Sequence, residues 1–480
     1  MPTATTDKWR TIAARKQEKR EKAIQSWKLI CELLSTRELE ITELPPQYTA
    51  EEILKASVNR SIIAHHLANP LTEIMFARGL SRARELDEIM ARTGKPIGPL
   101  HGLPISLKDK FNIAGEETSM GTVALAEHTL DVTDPIVQRL EAAGAVLYVK
   151  TNIPQTGLSG ECNNFAFSRT PTPWNTTLSV GGPLGIGSDV LGSIRTPANF
   201  NGIYGLCPTS GRFPGHGAYR SRGLTLISGV FGPLARSVDG LELYTRTMLI
   251  LTHGNGTPHA IISPGDRITT KNLPRDRKLR VSIVEHDGVV IPHPPIRRCL
   301  REAMPRSGRC STRSPSRSFR RLSCLHHGMS SVSRSTRIAQ PILSKCVRNT
   351  FDIWIDTAKP TASGEAIDVI VLPSGGHVAP LHSTLEYFAY ELYSNVLDWP
   401  CATIPVGFVD PTLDPAVDDL EIPPLSEMDR RNREKWSLEA YKDAPVADVA
   451  PVGRRCREGD HARGIDTSDC LGPWDEFIVY

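Results

Sequence analysis

The chain has no run of about eighteen or more apolar residues, which is what a bilayer-spanning helix needs. Its first residues, MPTATTDKWRTIAARKQEKREKAIQSWKL, lack the apolar core of a secretory signal. The expectation is therefore a soluble, cytoplasmic protein. Charge of one sign is scarce: the net charge is +3 over 480 residues. That balance gives no electrostatic reason to expect a nucleic-acid partner. There are ten cysteines, but no CxxC pair and no Cys/His spacing of metal-binding type. A zinc site and a dense disulfide framework are both disfavoured, and scattered reduced thiols are the simplest account. What remains is ordinary globular material, 40% hydrophobic and 23% charged, long enough to bury a large core.

Along the chain, residues 7–36 read as a helix, rich in Ala, Lys, Glu and Arg and free of Gly and Pro. Thr49 and Glu52 form a capping box that starts a second helix running towards Pro70. Residues 71–93 read as a third helix. Strand–helix–strand rhythm follows, with a short apolar strand ending at Lys108, a helix over 134–143 stopped by Gly144, and a strand over 145–149. This alternation predicts an α/β domain with a mostly central sheet. Further on, 239–251 reads as a helix, and 279–285 and 366–373 read as strands.

Two stretches carry chemistry. The first, SVGGPLGIGSDVLGSIRTPANFNGIYGLCPTSGR from Ser179 to Arg212, sets Ser188, Asp189, Ser193 and Arg195 among glycines. Small residues beside a hydroxyl admit a substrate carbonyl and let backbone amides receive its oxyanion. A glycine-rich turn with solvent-facing serines fits the composition equally well. The second is GPLHGLPISLKDKFNI, residues 98–113. A lysine at the end of an apolar strand is desolvated there, which lowers its pKa and frees the neutral amine to act as a base. A strand-end lysine pointing into water is the plainer alternative.

Together the two stretches resemble the amidase signature family, closest to its fungal acetamidase-like branch. GPLHGLPISLKD is similar to the family's lysine motif and GSDVLGSIRTPANFNGIYGLCPTSGR to its nucleophile motif. The resemblance implies an α/β fold in which helices sandwich a central mixed sheet. It implies Ser193 as nucleophile and Lys108 as base. The oxyanion would sit against the amides of Val190, Leu191, Gly192 and Ser193, with Asp189 and Arg195 supporting the loop. Cys162, with no histidine near it in sequence, is taken as a wall residue. No metal or cofactor is implied. The implied partner is a small-molecule amide, with neither nucleic acid nor membrane; homodimerisation is left open.

The chain departs from the family in four places. The GGSSGG element that carries the bridging serine is missing, because Gly181-Gly182 run straight into Pro183-Leu184-Gly185. Ser179 and Ser188 are nearby but out of register. Leu191 replaces a glycine. Residues 297–337 hold eleven arginines, no lysine and one acid, Glu302, which fits a misjoined coding segment better than an RNA-binding one. Such a segment is expected to be disordered or poorly packed. Asp448 and Pro451 argue against a central strand after Pro445.

The expected organisation is a helical region over 1–96 and an amidase domain over 97–446, interrupted at 297–337, followed by an atypical tail over 447–480. The expected function is hydrolysis of a carboxylic amide to acid and ammonia or amine through a Ser/Lys acyl-enzyme, impaired by the missing relay hydroxyl. The alternative is an inactive relative acting as a binding or scaffold protein.

Overall fold

In a computed structural model, the structure describes residues 8–28, 48–178, 185–213, 227–253, 281–302, 367, 369–418 and 420–451. Helix α1 spans Lys8–Lys28, so the expected helix over 7–36 is described only to that point. Helix α2 (Ala50–Ala68) starts on the expected capping box. Thr49 accepts from the Glu52 N–H, and the Glu52 carboxylate accepts from the Thr49 N–H at 3.0 Å. Asp87, from the next helix, accepts the first two α2 amides at 2.7 and 3.0 Å. The four orphan N–H groups of a helix start are thus largely satisfied by acids, which the helix dipole favours.

The expected third helix is a strand followed by a helix. Leu71–Ile74 forms β1, and α3 spans Phe76–Thr93. Leu71 and Ile74 pair antiparallel with Thr151 and Val149 of β3 (Val146–Thr151). A partner supplied by distant sequence overrides the local helical pattern. Between α3 and β3 lie β2 (Pro104–Lys108) and α4 (Pro135–Ala142). Downstream come β4 (Gly185–Asp189), α5 (Arg195–Asn201), β5 (Tyr204–Cys207), β6 (Val230–Ala235) and α6 (Val238–His253). The remaining elements are β7 (Val281–Ile283), α7 (Pro294–Glu302), β8 (Val369–Pro373), α8 (Ala389–Leu397), β9 (Cys401–Phe408), α9 (Glu427–Glu434), α10 (Leu438–Tyr441) and β10 (Pro445–Pro451).

The strands make one ten-stranded sheet in the order β1-β3-β2-β4-β6-β5-β9-β10-β8-β7. It is mixed: β2 is parallel to β3 and β4, β7 is parallel to β8, and the other pairs are antiparallel. Helices cover the sheet. Ile24 and Trp27 of α1, Leu54 and Ile62 of α2 and Leu86 of α3 pack with Val146 and Val149 of β3. Val137 and Leu140 of α4 and Met248 of α6 pack with Leu107, Leu147, Ile186 and Phe231. The expected fold class is the observed one. Among the described residues no helix is long and apolar enough to cross a membrane.

Two expectations are corrected here. Residues from Pro445 do form an inner strand: β10 pairs with β9 from Pro445 to Pro451 and with β8 at Asp448 and Val449. Asp448 is fully buried in it, among the described residues both its carboxylate oxygens lack a partner, and burial pushes its pKa well up, which favours the uncharged acid. Residues 297–302 belong to α7 and are packed rather than loose. Cys299 and Leu300 are buried, Arg297 pairs with Asp418, and Arg298 pairs with Asp414. Residues 303–337 and 452–480 lie outside the described residues.

Candidate active site

Asp189 organises the site. It ends β4, is fully buried, and its carboxylate accepts from donors on the turn that follows, on α5 and on α8. Oδ1 accepts from the Gly192 N–H at 2.8 Å, from Arg195 Nη2 at 3.1 Å and from Asn395 Nδ2 at 3.0 Å. Oδ2 accepts from the Ile194 N–H at 3.0 Å and from Arg195 Nε at 3.1 Å. Arg195, fully buried at the start of α5, also donates to Asn395 Oδ1. Burial alone would raise the Asp189 pKa, but Arg195 and the two amides outweigh it and hold the carboxyl below its usual range. The same pairing holds Arg195 above its usual value against desolvation. The turn from Val190 to Ile194 is therefore folded around a buried, bidentate ion pair.

Gly192 sits at φ +111°, and a Cβ there would stand 2.6 Å from Glu391 Cβ and 2.9 Å from Thr196 Oγ1. No other residue type fits that backbone and that gap. Leu191 needs no left-handed backbone and places its side chain at 37% exposure, so it is accommodated by turning outward. Among the expected oxyanion donors one is corrected: the Gly192 amide points inward to Asp189. Val190, Leu191 and Ser193 are the remaining amides of the turn. Ser193 is half-buried in this turn.

Lys108 ends β2, which runs parallel to β4 with Leu107 opposite Ile186. The two strands approach closely: a Cβ at Gly185 would stand 2.2 Å from the Ser106 carbonyl oxygen. Lys108 is 6% exposed and its Nζ donates to the Ser188 carbonyl at 3.3 Å, one residue before Asp189. It does not point into bulk water. Burial, with the neighbouring Lys110 cation, lowers its pKa to about 8 against the opposing pull of Asp189 and Cys162. Lys108 and Ser193 thus border the same end of β4 without a direct hydrogen bond. Residues 179–184, where the family's bridging serine would fall, lie outside the described residues.

Cys162 is buried near Lys108, and burial pushes its thiol up to about 12, which leaves it a poor nucleophile at neutral pH. Among the described residues no group of three or more His, Cys, Asp or Glu side chains is placed to hold a metal ion. Sequence reasoning missed Glu391 and Asn395, both on α8. No local pattern singled them out, because α8 also carries Ser394 and two tyrosines and nothing in its own sequence ties it to the turn.

Comparison with known proteins bears on the family and the fold. The family model described as Amidase matches residues 52–306. The acetamidase of Emericella nidulans is 31% identical over 89% of this chain and 88% of its own length. The acetamidase of Aspergillus oryzae is 30% identical over 95% and 97%. Among solved structures, fatty acid amide hydrolase superposes with a TM-score of 0.77 at 23% identity, covering 94% of this chain and 92% of that one. At that identity the superposition speaks to the fold alone.

Proposed function

We propose an activity from one premise: the chain belongs to the amidase family. The reading is hydrolysis of a small carboxylic amide, acetamide-like in size, to the acid and ammonia or an amine. The observation that carries it is Lys108: a buried amine with its pKa lowered to about 8, anchored at the end of β4 beside the turn that bears Ser193. A lysine in that state is partly neutral at pH 7–8 and accepts a proton, whereas a solvated lysine does not.

In this scheme Ser193 Oγ attacks the amide carbon while its proton passes to the Lys108 amine. The carbonyl oxygen becomes an oxyanion against the amides of Val190, Leu191 and Ser193. Collapse breaks the C–N bond, and the Lys108 ammonium returns the proton to the leaving nitrogen. Water then adds to the acyl-serine, giving its proton to Lys108, and the acid leaves as Ser193 recovers its proton. Lys108 makes no hydrogen bond to Ser193, so each transfer needs a bridging hydroxyl or water. The sequence lacks the family's bridging serine, and the expected turnover is slow for that reason.

That same gap favours a second reading, a relative that binds amides without cleaving them. Ammonia release from acetamide and its homologues by the purified chain separates the two. Turnover lost in Ser193→Ala and in Lys108→Met supports the hydrolase. Amide binding with equal inactivity of all three proteins supports the binding protein.

A further inference from the structure

Glu391 lies in the first turn of α8, and its side chain closes on the turn that carries Ser193. It is 1% exposed. A Cβ on Gly192 would stand 2.6 Å from Glu391 Cβ and 3.2 Å from its Cγ, so the acid's stem lies against the loop backbone. Its carboxyl lies beyond the stem. Oε1 would be 3.2 Å from a Cβ on Gly375, and Oε2 is buried with no partner among the described residues.

We propose that Glu391 is a positioning residue for residues 190–193: its stem fixes Gly192, and its uncharged carboxyl keeps negative charge away from the place where a substrate oxyanion forms. The inference rests on the reading of Ser193 as nucleophile. The charged groups that face Glu391 are Arg195 of α5 and Asp189 of β4, and α8 carries no other charged residue. Arg195 is already engaged by Asp189 and Asn395, and its Nη1 has no partner among the described residues. A carboxyl this buried, with one oxygen unpaired, is stable only when neutral. Burial, aided by the Asp189 charge, pushes its pKa up to about 8 against the pull of Arg195. Above that pH a buried anion appears behind the turn. It opposes the developing oxyanion and draws Arg195 away from Asp189, loosening the ion pair around which the turn is folded.

The test is the pH profile of kcat and KM for the full chain and for Glu391→Gln, measured on acetamide between about pH 6 and pH 10. Lys108 deprotonation raises the rate through about pH 8. In the wild type Glu391 ionisation turns the profile over, and at about pH 9.5 kcat falls roughly tenfold below its maximum. KM stays level, because the oxyanion exists only after the ground state. Glu391→Gln holds a plateau to pH 10. Glu391→Leu, equally unable to ionise, does the same and serves if the glutamine variant fails to fold. A wild-type profile with no alkaline fall overturns the proposal, as does a fall that persists unchanged in the variants; both leave the Ser193 reading standing. A wild type inert towards every amide, and no different from Ser193→Ala, overturns the hydrolase reading and takes this inference with it.

Discussion

At the scale of single residues, the account turns on how burial moves two groups. Lys108 must lose its proton before it can accept one from Ser193. The acid limb of kcat/KM should therefore rise with pH up to the lysine pKa of about 8. A limb centred near 6 would assign the base to a different group. Lys108→Met should lower the rate by about 10²–10⁴-fold with little change in KM, the usual size of general acid–base assistance. Asp189→Asn removes the counter-ion of a fully buried arginine. Breaking such a pair by taking one partner costs about 3–5 kcal/mol, which urea denaturation would read directly. A loss below about 1 kcal/mol would show that the pair does not hold the turn. Lys108, Ser193, Asp189 and Arg195 were all legible in the sequence because they fall within two short motifs. Glu391 and Asn395 were not, because they reach the site from a helix about two hundred residues further on. The inward turn of the Gly192 amide was also hidden, since it depends on the Asp189 side chain and not on the glycine pattern.

At the scale of elements, β10 shows a sequence rule yielding to its surroundings. Aspartate and proline are poor strand residues, yet β9 and β8 on either side supply a ladder that accepts them. The cost is a buried acid with no partner among the described residues, and Asp448→Val should therefore stabilise the protein by about 1–3 kcal/mol at pH 7. The sign with pH follows. The native carboxyl keeps its proton well above the usual value of 3.8 while the unfolded one releases it, so wild-type stability falls as pH rises past about 4. In Asp448→Val that contribution to the slope is absent. A destabilised variant, or one with the wild-type slope, would mean that Asp448 finds a partner. Conversely, the α2 capping box was readable because it is local: Thr49 and Glu52 satisfy each other within four residues. Thr49→Ala should cost about 1 kcal/mol, seen as a lower melting temperature with unchanged activity. Strand β1 could not be read that way, since the pairing with β3 that makes it a strand lies about seventy-five residues downstream.

At the scale of the whole molecule, the alternation of strands and helices was enough to place the chain among α/β proteins, while the order of ten strands was not. The middle and last thirds of the sequence meet in one sheet through the antiparallel pairing of β5 with β9, which no local pattern encodes. The fold brings Lys108 to the end of β4 through β2–β4 pairing, and it brings α8 over the turn that follows. In the proposed scheme no residue of the sequence is assigned as the hydroxyl between base and nucleophile. Inserting a family-like SSGG segment with its helix after Gly182 should raise amide turnover by about 10²-fold if that absence limits the rate. Equal rates with and without the insert would place the limit elsewhere. The central claim, that Ser193 is the atom acylated and Lys108 its base, is tested most directly by labelling. The full chain is incubated with a fluorophosphonate, its intact mass is followed over time, and the adduct is mapped to a peptide. The account predicts one adduct, on Ser193, forming faster as pH rises towards 8, absent in Ser193→Ala and slowed in Lys108→Met. An adduct on any other residue, or one on Ser193 that forms at the same rate in Lys108→Met, would contradict it.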